Sequence, residues 1–352
     1  MDIKDKLPTN WKEVKLGDIA DITMGQSPKS QFYNKDKEGM PFLQGSSTFG
    51  LLNPSFEIYS SDIKKIAVNG SVLMSVRAPV GDLNIANADV CIGRGLCSIN
   101  GKNKHSNKYI YYLLNYYKPR IIHMQKGTTF GAITKNDILN FEVIITEDIE
   151  EQKRIASTLS KIDAYLENTI KLIEEKEKFK RGIAKKLLTC KKGENVPEAR
   201  FKGFNEEWET KNLISVANIK KGEQRNKLDL IPNGKYPVLN GGMNFSGYYN
   251  SYNREANTIT ISEGGNAGYV NFIKEKFWSS GHCYTLHDIK IDKHFLYQCL
   301  KNSEKRLMKL QLGTALKNIQ LSEIKEFTLD MPKSIEEQKA IGEYLRSDRR
   351  IF

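Results

Sequence analysis

The sequence predicts an α+β protein with two tandem domains, each built around a small bent sheet, joined by long coiled-coil helices in a duplicated, pseudo-twofold arrangement. Three features of the sequence support this fold. The chain contains an internal repeat, short alternating apolar runs bounded by turn residues indicate strands, and a stretch of about 40 residues has the periodicity of a long helix. The predicted segments are a first domain, a central helix, a linker, a second domain and a shortened C-terminal helix, at residues 1–148, 149–189, 190–205, 206–333 and 334–352.

The internal repeat has two blocks, each with a constant offset. The first block begins at Trp11 and Trp208, 197 residues apart. The second block carries the sequence Glu-Glu-Gln-Lys at 150–153 and again at 336–339, 186 residues apart. The sequences between the blocks differ much more than the blocks themselves. Similar frames with divergent centres are typical of one scaffold that carries two different recognition surfaces.

Each repeat also contains the same local signals for secondary structure. The predicted strands lie at 69–76 and 257–262, and the predicted helices lie at 109–118 and 295–301. In the first helix Tyr109, Tyr112, Leu113 and Tyr116 recur at helical spacing. The tyrosines have two interpretations, stacking on bases or packing in the core. The spacing favours the core because it marks one buried face.

A long helix follows the first domain, from about Ile149 to Leu188, and a glycine and a proline at Gly193 and Pro197 mark the stop beyond it. Its apolar or small residues recur in steps of three and four, the pattern of a coiled-coil seam. The seam residues are Ile155, Leu159, Ile162, Leu166, Thr169, Ile173, Ile183 and Leu187. A helix of this length spans roughly 60 Å. An isolated helix gains most of its stability by packing its apolar face, so this helix needs a partner. The second copy of the helix would supply one, and the two helices would form an antiparallel pair with the domains at opposite ends.

The second copy of this helix is shorter than the first. It begins at Ile335 and follows the first copy to Leu345, but Asp348 then takes the position of the seam residue Ile162. We expect that the C-terminal helix is truncated and that residues 347–352 are not native helix sequence. Natural variation at this position is the alternative.

The composition limits the classes of partner and compartment. The formal net charge is +12 and the isoelectric point is about 9.2, which favours a polyanionic partner because neutralised phosphates release counterions; a generic basic surface is the alternative. The five cysteines include no CxxC pair, so we expect buried or free thiols rather than disulfides or a zinc site. Without a run of about 18 apolar residues or a signal-peptide core, the prediction is a cytoplasmic protein with no membrane partner.

Catalytic motifs are weak or missing in the sequence. The segment Asn53-Pro-Ser-Phe56 resembles the Asn-Pro-Pro-Tyr/Phe motif of amino-methyltransferases, but it lacks the second proline and no glycine-rich cofactor loop precedes it. There is no G-x-x-x-x-G-K-S/T loop, and the five histidines have no metal-ligand spacing. We therefore predict no catalytic residue, no cofactor-binding residue and no metal ligand in this chain.

Several segments, in their order and spacing, carry a resemblance to a known family. The chain resembles the specificity subunit of type I restriction-modification systems, and the resemblance covers nearly the whole sequence. The matching segments are LPTNWKEVKLGDIADI, PFLQGSS, SVRAPVGDLNIANADVCIGRGLCSI, GTTFGAITKNDILNFEVIITEDIEEQKRIASTLSKID and NVPEARFKGFNEEW. The resemblance implies that each domain is a target recognition domain that reads one half of a bipartite double-stranded DNA site.

The resemblance also implies partners and cofactors. The helices set the gap between the half-sites and dock modification methyltransferase subunits, which bind S-adenosylmethionine and methylate adenine. Restriction or translocase subunits add ATP and magnesium. The chain itself is then not an enzyme and has no cofactor of its own. Self-association through the incomplete helix pair is a further expectation.

Base reading requires arginine, lysine, asparagine or glutamine at the edges of the bases, while hydroxyls and backbone amides bind phosphates. The candidates lie in glycine-flanked loops. The predicted DNA-binding residues are Gln44, Ser46, Arg77, Arg94, Lys126, Thr128 and Thr129 in the first domain and Asn240, Asn244, Asn266, His282, Lys317 and Asn318 in the second. For each of them, a turn residue with only local partners is the alternative.

Other functions remain open on the sequence. The chain is alternatively a truncated or silenced specificity subunit that acts as a half-subunit or a structural adaptor. A self-contained adenine methyltransferase would require a cofactor site, which the motifs do not supply. A coiled-coil adaptor that binds only protein fits the net charge of +12 less well.

Overall fold

The computed structural model of the chain describes residues 10–124, 131–313 and 317–346. The chain divides into two compact units, Met1–Leu172 and Ile173–Phe352, and the boundary lies inside the long helix. The domain boundaries expected from the sequence treat this helix as a separate segment, and they stay predictions. No helix in the described ranges is both long enough and apolar enough to cross a membrane.

The first unit contains eleven strands among its described residues. They are β1 (Trp11–Lys15), β2 (Ala20–Met24), β3 (Tyr33–Asn34), β4 (Met40–Leu43), β5 (Tyr59–Ser60), β6 (Ile66–Ala67), β7 (Val72–Ser75), β8 (Leu83–Ile85), β9 (Val90–Ile92), β10 (Leu96–Gly101) and β11 (Glu142–Thr146). The helices are α1 (Leu16–Ile19), α2 (Asn107–Tyr116), α3 (Lys118–His123), α4 (Lys135–Leu139) and α5 (Ile149–Leu188), the last of which continues into the second unit. These short strands and small helices confirm the predicted mixed character of the domain.

The described strands of the first unit form three small sheets. Strands β2, β10, β7 and β8 form an antiparallel sheet in that order, and β3, β5, β4, β9 and β6 form a second sheet in which β4 and β9 are parallel. Strand β1 pairs with β11, which places Trp11 opposite Thr146. The first and last strands of the unit therefore lie side by side, and α5 begins close to the start of β1.

The core of the first unit lies between the β2–β10–β7–β8 sheet and α2. Tyr109, Ile110, Leu113 and Leu114 of the helix are buried against Ile99 and the other apolar side chains of the sheet. The predicted helix at 109–118 and the core placement of Tyr109 and Leu113 are confirmed. The core interpretation is wrong for Tyr116, which is 75% exposed because the buried stripe runs through Leu113, Leu114 and Tyr117 and Tyr116 lies beside it.

The second unit repeats this arrangement with nine strands in its described part. They are β12 (Glu209–Asn212), β13 (Asn218–Lys221), β14 (Tyr236–Leu239), β15 (Gly247–Tyr249), β16 (Thr258–Ser262), β17 (Val270–Ile273), β18 (Trp278–Ser279), β19 (Cys283–His287) and β20 (Thr328–Met331). The helices are α6 (Leu213–Val216), α7 (Lys293–Asn302), α8 (Glu304–Met308), α9 (Leu321–Glu326) and α10 (Ile335–Arg346). The predicted strand at 257–262 and helix at 295–301 correspond to β16 and α7.

The sheets of the second unit repeat the main strand pairings of the first, although the sheet with the parallel pair has three described strands where its counterpart has five. Strand β12 pairs with β20 as β1 pairs with β11, and β13, β19, β16 and β17 form the antiparallel sheet. Strand β14 runs parallel to β18, as β4 runs parallel to β9. The internal repeat in the sequence is therefore a repeat of strand pairing.

The repeated Glu-Glu-Gln-Lys sequence fixes the start of a helix in each unit. The Nε2 of Gln152 donates a hydrogen bond to the carbonyl oxygen of Thr146 at 2.8 Å, and the Nε2 of Gln338 donates to that of Pro332, also at 2.8 Å. Both glutamines are buried, so each amide satisfies a carbonyl that would otherwise be buried without a partner. The recurrence of this sequence is thus explained by a scaffold contact.

The long helix α5 has packed ends and an exposed middle. Ala156 is buried in the core of the first unit, and Leu187 and Leu188 are buried in the core of the second. Between them Ile162 is 57% exposed and Ile173 is 49% exposed. These two residues belong to the predicted seam, and its pairing as a coiled coil stays a prediction.

Helix α10 packs on α7 within the second unit. Ile341 and Leu345 are buried, and a Cβ at Gly342 would lie 2.7 Å from Oδ1 of Asp292, so only glycine allows this close approach. The expectation about Asp348 falls on residues outside those that the structure describes.

The five cysteines are free, and all except Cys190 are buried. The predicted buried or free thiols are therefore confirmed. Burial raises the pKa of the Cys97 thiol to about 12, and partial burial raises that of the Cys190 thiol to about 11.

Candidate nucleic-acid interface

The structure brings Gln44 and Arg94 of the first unit together through a third residue, Ser27. The hydroxyl of Ser27 donates to Oε1 of Gln44 at 2.9 Å, and the backbone N–H of Arg94 donates to the Ser27 hydroxyl at 3.1 Å. A Cβ at Gly95 would lie 2.5 Å from the backbone oxygen of Gln44, so glycine is required for the loops to approach. The loop after β4 and the loop between β9 and β10 therefore form one surface.

The loop between β7 and β8 joins the same end of the unit. The Ser46 hydroxyl donates to Oδ2 of Asp82 at 3.0 Å, and Nζ of Lys118 lies 2.9 Å from Oδ1 of Asp82. Arg77 lies on this loop and forms an isolated backbone bridge with Ala132. The hydrogen bond from the Ser46 hydroxyl to Asp82 therefore helps to hold the two loops together.

Arg77 and Arg94 carry the exposed cations of this surface. Both side chains are exposed. In the part of the chain that the structure describes, no ion pair or hydrogen bond holds either guanidinium group. A guanidinium without a protein partner presents five N–H donors to a ligand.

The second unit brings four of its predicted residues together around Gly241. The backbone N–H of His282 lies 3.4 Å from Oδ1 of Asn240, and the N–H of Asn266 donates to the carbonyl oxygen of Gly241 at 3.2 Å. Asn318 forms a backbone bridge with Gly264, and a Cβ at Gly241 would lie 2.7 Å from the oxygen of Gly264. The loops after β14, between β16 and β17, and between β18 and β19 therefore meet.

We call the loops that carry Gln44, Arg77 and Arg94 the first cluster and the loops around Gly241 the second cluster. The two clusters occupy equivalent positions in the two units. Gln44 and Asn240 each follow the strand that runs parallel to β9 or β18, and each precedes a glycine. The turns that carry Arg94 and His282 have the same closing hydrogen bond, from the N–H of Leu96 or Cys283 to the residue three positions earlier. The same loops thus carry different side chains in the two copies, and sequence reasoning did not detect this correspondence.

Not every predicted residue joins the clusters. Asn244 and Lys317 are exposed, and no side-chain contact in the described ranges links either of them to the loops around Gly241. Lys126, Thr128 and Thr129 lie outside the described residues. The DNA-binding role of the thirteen residues stays a prediction.

An acidic residue that the sequence did not suggest lies at the centre of the second cluster. Glu263 accepts hydrogen bonds from Nζ of Lys221 at 2.6 Å and from the hydroxyl of Tyr284 at 2.9 Å, and Nδ1 of His282 lies 3.5 Å from its Oε2. Burial and the neighbouring carboxylate raise the pKa of Tyr284 well above its usual range. Lys221 partly neutralises the negative charge of Glu263.

Other positions missed by sequence reasoning had a detectable signal. Ser27 lies two residues after Gly25, and Gln224 lies two residues after the matching Gly222. Both positions fall just beyond the first repeated block. The place where the repeat stops matching therefore marked the loops, although it did not indicate which residues contact one another.

The segment that resembles a methyltransferase motif is a loop. Nδ2 of Asn53 donates to the carbonyl oxygen of Ile85 at 2.8 Å, and Pro54 forms a backbone bridge with Phe49. Asn53 is therefore held as a turn residue. Within the described ranges, no group of three or more histidine, cysteine, aspartate or glutamate side chains is arranged to hold a metal ion.

Both units match a single protein family. Residues 8–175 and 205–348 match the family described as type I restriction modification DNA specificity domain. A relative from Methanocaldococcus jannaschii, named as the MjaX type I restriction enzyme specificity subunit, is 43% identical over 189 residues, which cover 53% of this chain and 44% of the relative. The MjaVIII specificity subunit from the same organism is 24% identical over 375 residues, which cover 97% of this chain and 87% of that protein.

The alignments with the more similar relatives span less than half of those proteins, at 44% and 38% of their lengths. Among solved structures, the S subunit of a type I restriction-modification system from M. genitalium has a TM-score of 0.65 at 20% identity. The match covers 97% of this chain and 90% of that one. At this level of identity the likeness establishes the fold alone.

Proposed function

The chain belongs to the type I restriction-modification DNA specificity family, and from this membership we propose that it recognises a bipartite double-stranded DNA target as the specificity subunit of such a complex. In this proposal each unit reads one half of the target. The chain selects the DNA sequence, and a partner methyltransferase carries out the reaction.

One observation carries the proposal: equivalent loops in the two units hold different polar side chains. Gln44 corresponds to Asn240, and the turn of Arg94 corresponds to that of His282. Glutamine and asparagine pair with adenine, and arginine pairs with guanine, at the major-groove edges of the bases. A shared scaffold with different readers is what a target with two different halves requires.

The charge of the chain supports a DNA ligand. With a formal net charge of +12, the chain gains binding free energy from counterion release when it contacts phosphates. Arg77 and Arg94 are exposed on the first cluster without an ion pair in the described part of the unit. The basic charge supplies affinity, and the loop side chains supply sequence discrimination.

The partners in this proposal are modification methyltransferase subunits and restriction or translocase subunits, in the cytoplasm. S-adenosylmethionine, ATP and magnesium belong to those partners. The exposed apolar side chains of α5, such as Ile162 and Leu166 one turn apart, supply a surface that needs a protein partner, since they are 57% and 46% exposed. A modification subunit or a second copy of the chain fits this requirement, and a half-subunit is the second candidate for that reason.

The test is to express the chain with its modification subunit and to map methylated adenines in the host DNA by single-molecule sequencing. A split motif with methyladenine in both halves is the expected result. Co-purification of the two proteins without sequence-specific methylation would contradict the reading function. A symmetric motif, in which the same half-site occurs twice, would favour the half-subunit.

A further inference from the structure

Arg225 of the second unit lies against two aromatic rings. Its Cζ is 4.0 Å from the ring centroid of Trp278 and 4.7 Å from that of Tyr249. Trp278 is itself fixed, since it is buried and its Nε1 donates to the carbonyl oxygen of Glu223 at 2.9 Å. Stacking on aromatic faces restricts the orientation of the planar guanidinium group.

Arg225 adjoins the loop cluster of the second unit. Its backbone N–H donates to the hydroxyl of Ser280 at 3.2 Å, and Ser280 begins the turn that carries His282. The neighbouring Gln224 touches the same turn, since a Cβ at Gly281 would lie 2.4 Å from its Oε1. The guanidinium is therefore held beside residues that the proposed function places at the DNA.

The side-chain donors of Arg225 have no acceptor among the described residues. Its Nε is buried without a hydrogen-bond partner, and within the described ranges no hydrogen bond or ion pair engages its terminal nitrogens. Arg254 in the same unit is the contrast. Its Nε donates to Thr285, and its two terminal nitrogens donate to the carbonyl oxygens of Asn253 and Lys221. Arg254 therefore has a structural role, whereas Arg225 retains the capacity to bind a ligand.

The internal repeat separates Arg225 from scaffold arginines. Arg306 stacks on Phe327 at 4.9 Å, and Arg120 stacks on Phe141 at 5.3 Å in the first unit, with both pairs related by the offset of 186 residues. At the offset of 197 residues, Arg225 corresponds to Pro28. A contact that supports the scaffold recurs in both copies, and the Arg225 contact does not.

We propose that Arg225 is a further specificity-determining residue, which presents a preoriented guanidinium to a guanine in the half-site read by the second unit. This inference rests on the proposed function. An arginine pairs with O6 and N7 of guanine through two parallel N–H donors, and a fixed plane favours that bidentate contact. A DNA phosphate accepts the same donors, so the experiment has to distinguish a base from a phosphate.

The experiment uses the full chain with its modification subunit and compares Arg225→Lys and Arg225→Gln with wild type. Arg306→Lys is the matched control, because it alters a stacked arginine of the same unit at a repeated scaffold position. For each protein, the methylated motif is mapped and binding is measured to the mapped duplex, to single-base variants and to unrelated DNA. Thermal unfolding checks that each variant is folded.

Arg225→Lys keeps the positive charge but loses the two parallel N–H donors of the guanidinium group. We expect it to lose about 10- to 100-fold of discrimination at one guanine position of one half-site, with unrelated DNA bound within about twofold of wild type. Arg225→Gln loses the preference for guanine at the same position, and Arg306→Lys keeps the wild-type motif. Unchanged discrimination in folded Arg225→Lys and Arg225→Gln would overturn the proposal.

A phosphate contact has a different signature. Arg225→Lys would then keep the motif, and Arg225→Gln would weaken binding to all sequences and lower the salt dependence by about one phosphate. That pattern also overturns the proposal. If wild type itself yields no sequence-specific motif, the proposed function fails, and this outcome is distinct because it does not depend on any Arg225 variant.

Discussion

Arg200 and Glu337 form a buried ion pair in the second unit, with Nε of the arginine 2.7 Å from Oε1 and Nη2 2.8 Å from Oε2 of the glutamate. The indole N–H of Trp208 lies 3.3 Å from the same Oε1. The hydrogen bond to Glu337 raises the pKa of Arg200, so the guanidinium stays protonated. It links the segment before β12 to the first turn of α10.

Replacing Glu337 by glutamine is expected to lower the free energy of unfolding by roughly 3 kcal/mol, because Arg200 is then left in a largely buried place without its counter-charge. Chemical unfolding measures this change. The matched control is Glu151→Gln, since Glu151 is the equivalent residue in the first unit and binds the neutral Asn10 and Thr146. The control should change the free energy by about 1 kcal/mol or less. Equal losses in the two variants would contradict the role of the ion pair.

Arg77→Ala tests base reading by the first unit. The Arg77 side chain is exposed, and its guanidinium group has no ion pair or hydrogen bond in the described ranges. The substitution should therefore leave stability nearly unchanged and lower discrimination at one half-site by about 10- to 100-fold. Methylation mapping and binding to single-base variants give the readout. Arg120→Ala removes the same charge from a stacked scaffold position and serves as the control. A uniform loss of affinity for all DNA sequences would argue for a phosphate contact instead.

Gly241→Ala tests the packing of the second cluster. Gly241 has φ of +71°, and an added Cβ would lie 2.6 Å from the carbonyl oxygen of His282. The substitution should cost roughly 2 kcal/mol and weaken recognition of the second half-site only. Gly45 is its equivalent in the first unit, and an added Cβ there meets nothing within 4 Å. Gly45→Ala should therefore be tolerated, and similar damage from both substitutions would refute the difference between the loops.

Cys190 supplies a prediction about pH. Partial burial raises the pKa of its thiol to about 11, so at pH 8 alkylation should be about 100-fold slower than for a thiol of pKa about 9. The rate should rise about tenfold per pH unit between pH 8 and 10. Because the folded-state pKa is raised, this group's contribution to stability is complete below pH 9 and is lost as the pH rises from 9 to 11. Labelling followed by mass spectrometry of the Cys190 peptide measures the rate, and a fast, pH-independent reaction would contradict the burial.

Some features of the protein were determined by the sequence alone. The repeated blocks predicted the duplication, and helical spacing predicted α2, α7 and the 40-residue helix α5. These features could be predicted because the spacing of apolar residues indicates which side of a local segment is buried. The same reasoning was wrong for Tyr116, because spacing does not show where a buried face ends.

Only the tertiary structure decided which loop residues meet. Gln44 and Arg94 are 50 positions apart in the sequence, and Ser27 joins them because β4 and β9 pair in parallel. The correspondence of Gln44 with Asn240, and the place of Arg225 beside Trp278, follow from the same long-range strand pairing. The middles of the repeats have diverged in sequence, so no local pattern records these contacts. Strand register is set by packing across the whole domain, and the candidate interface is therefore a property of the fold.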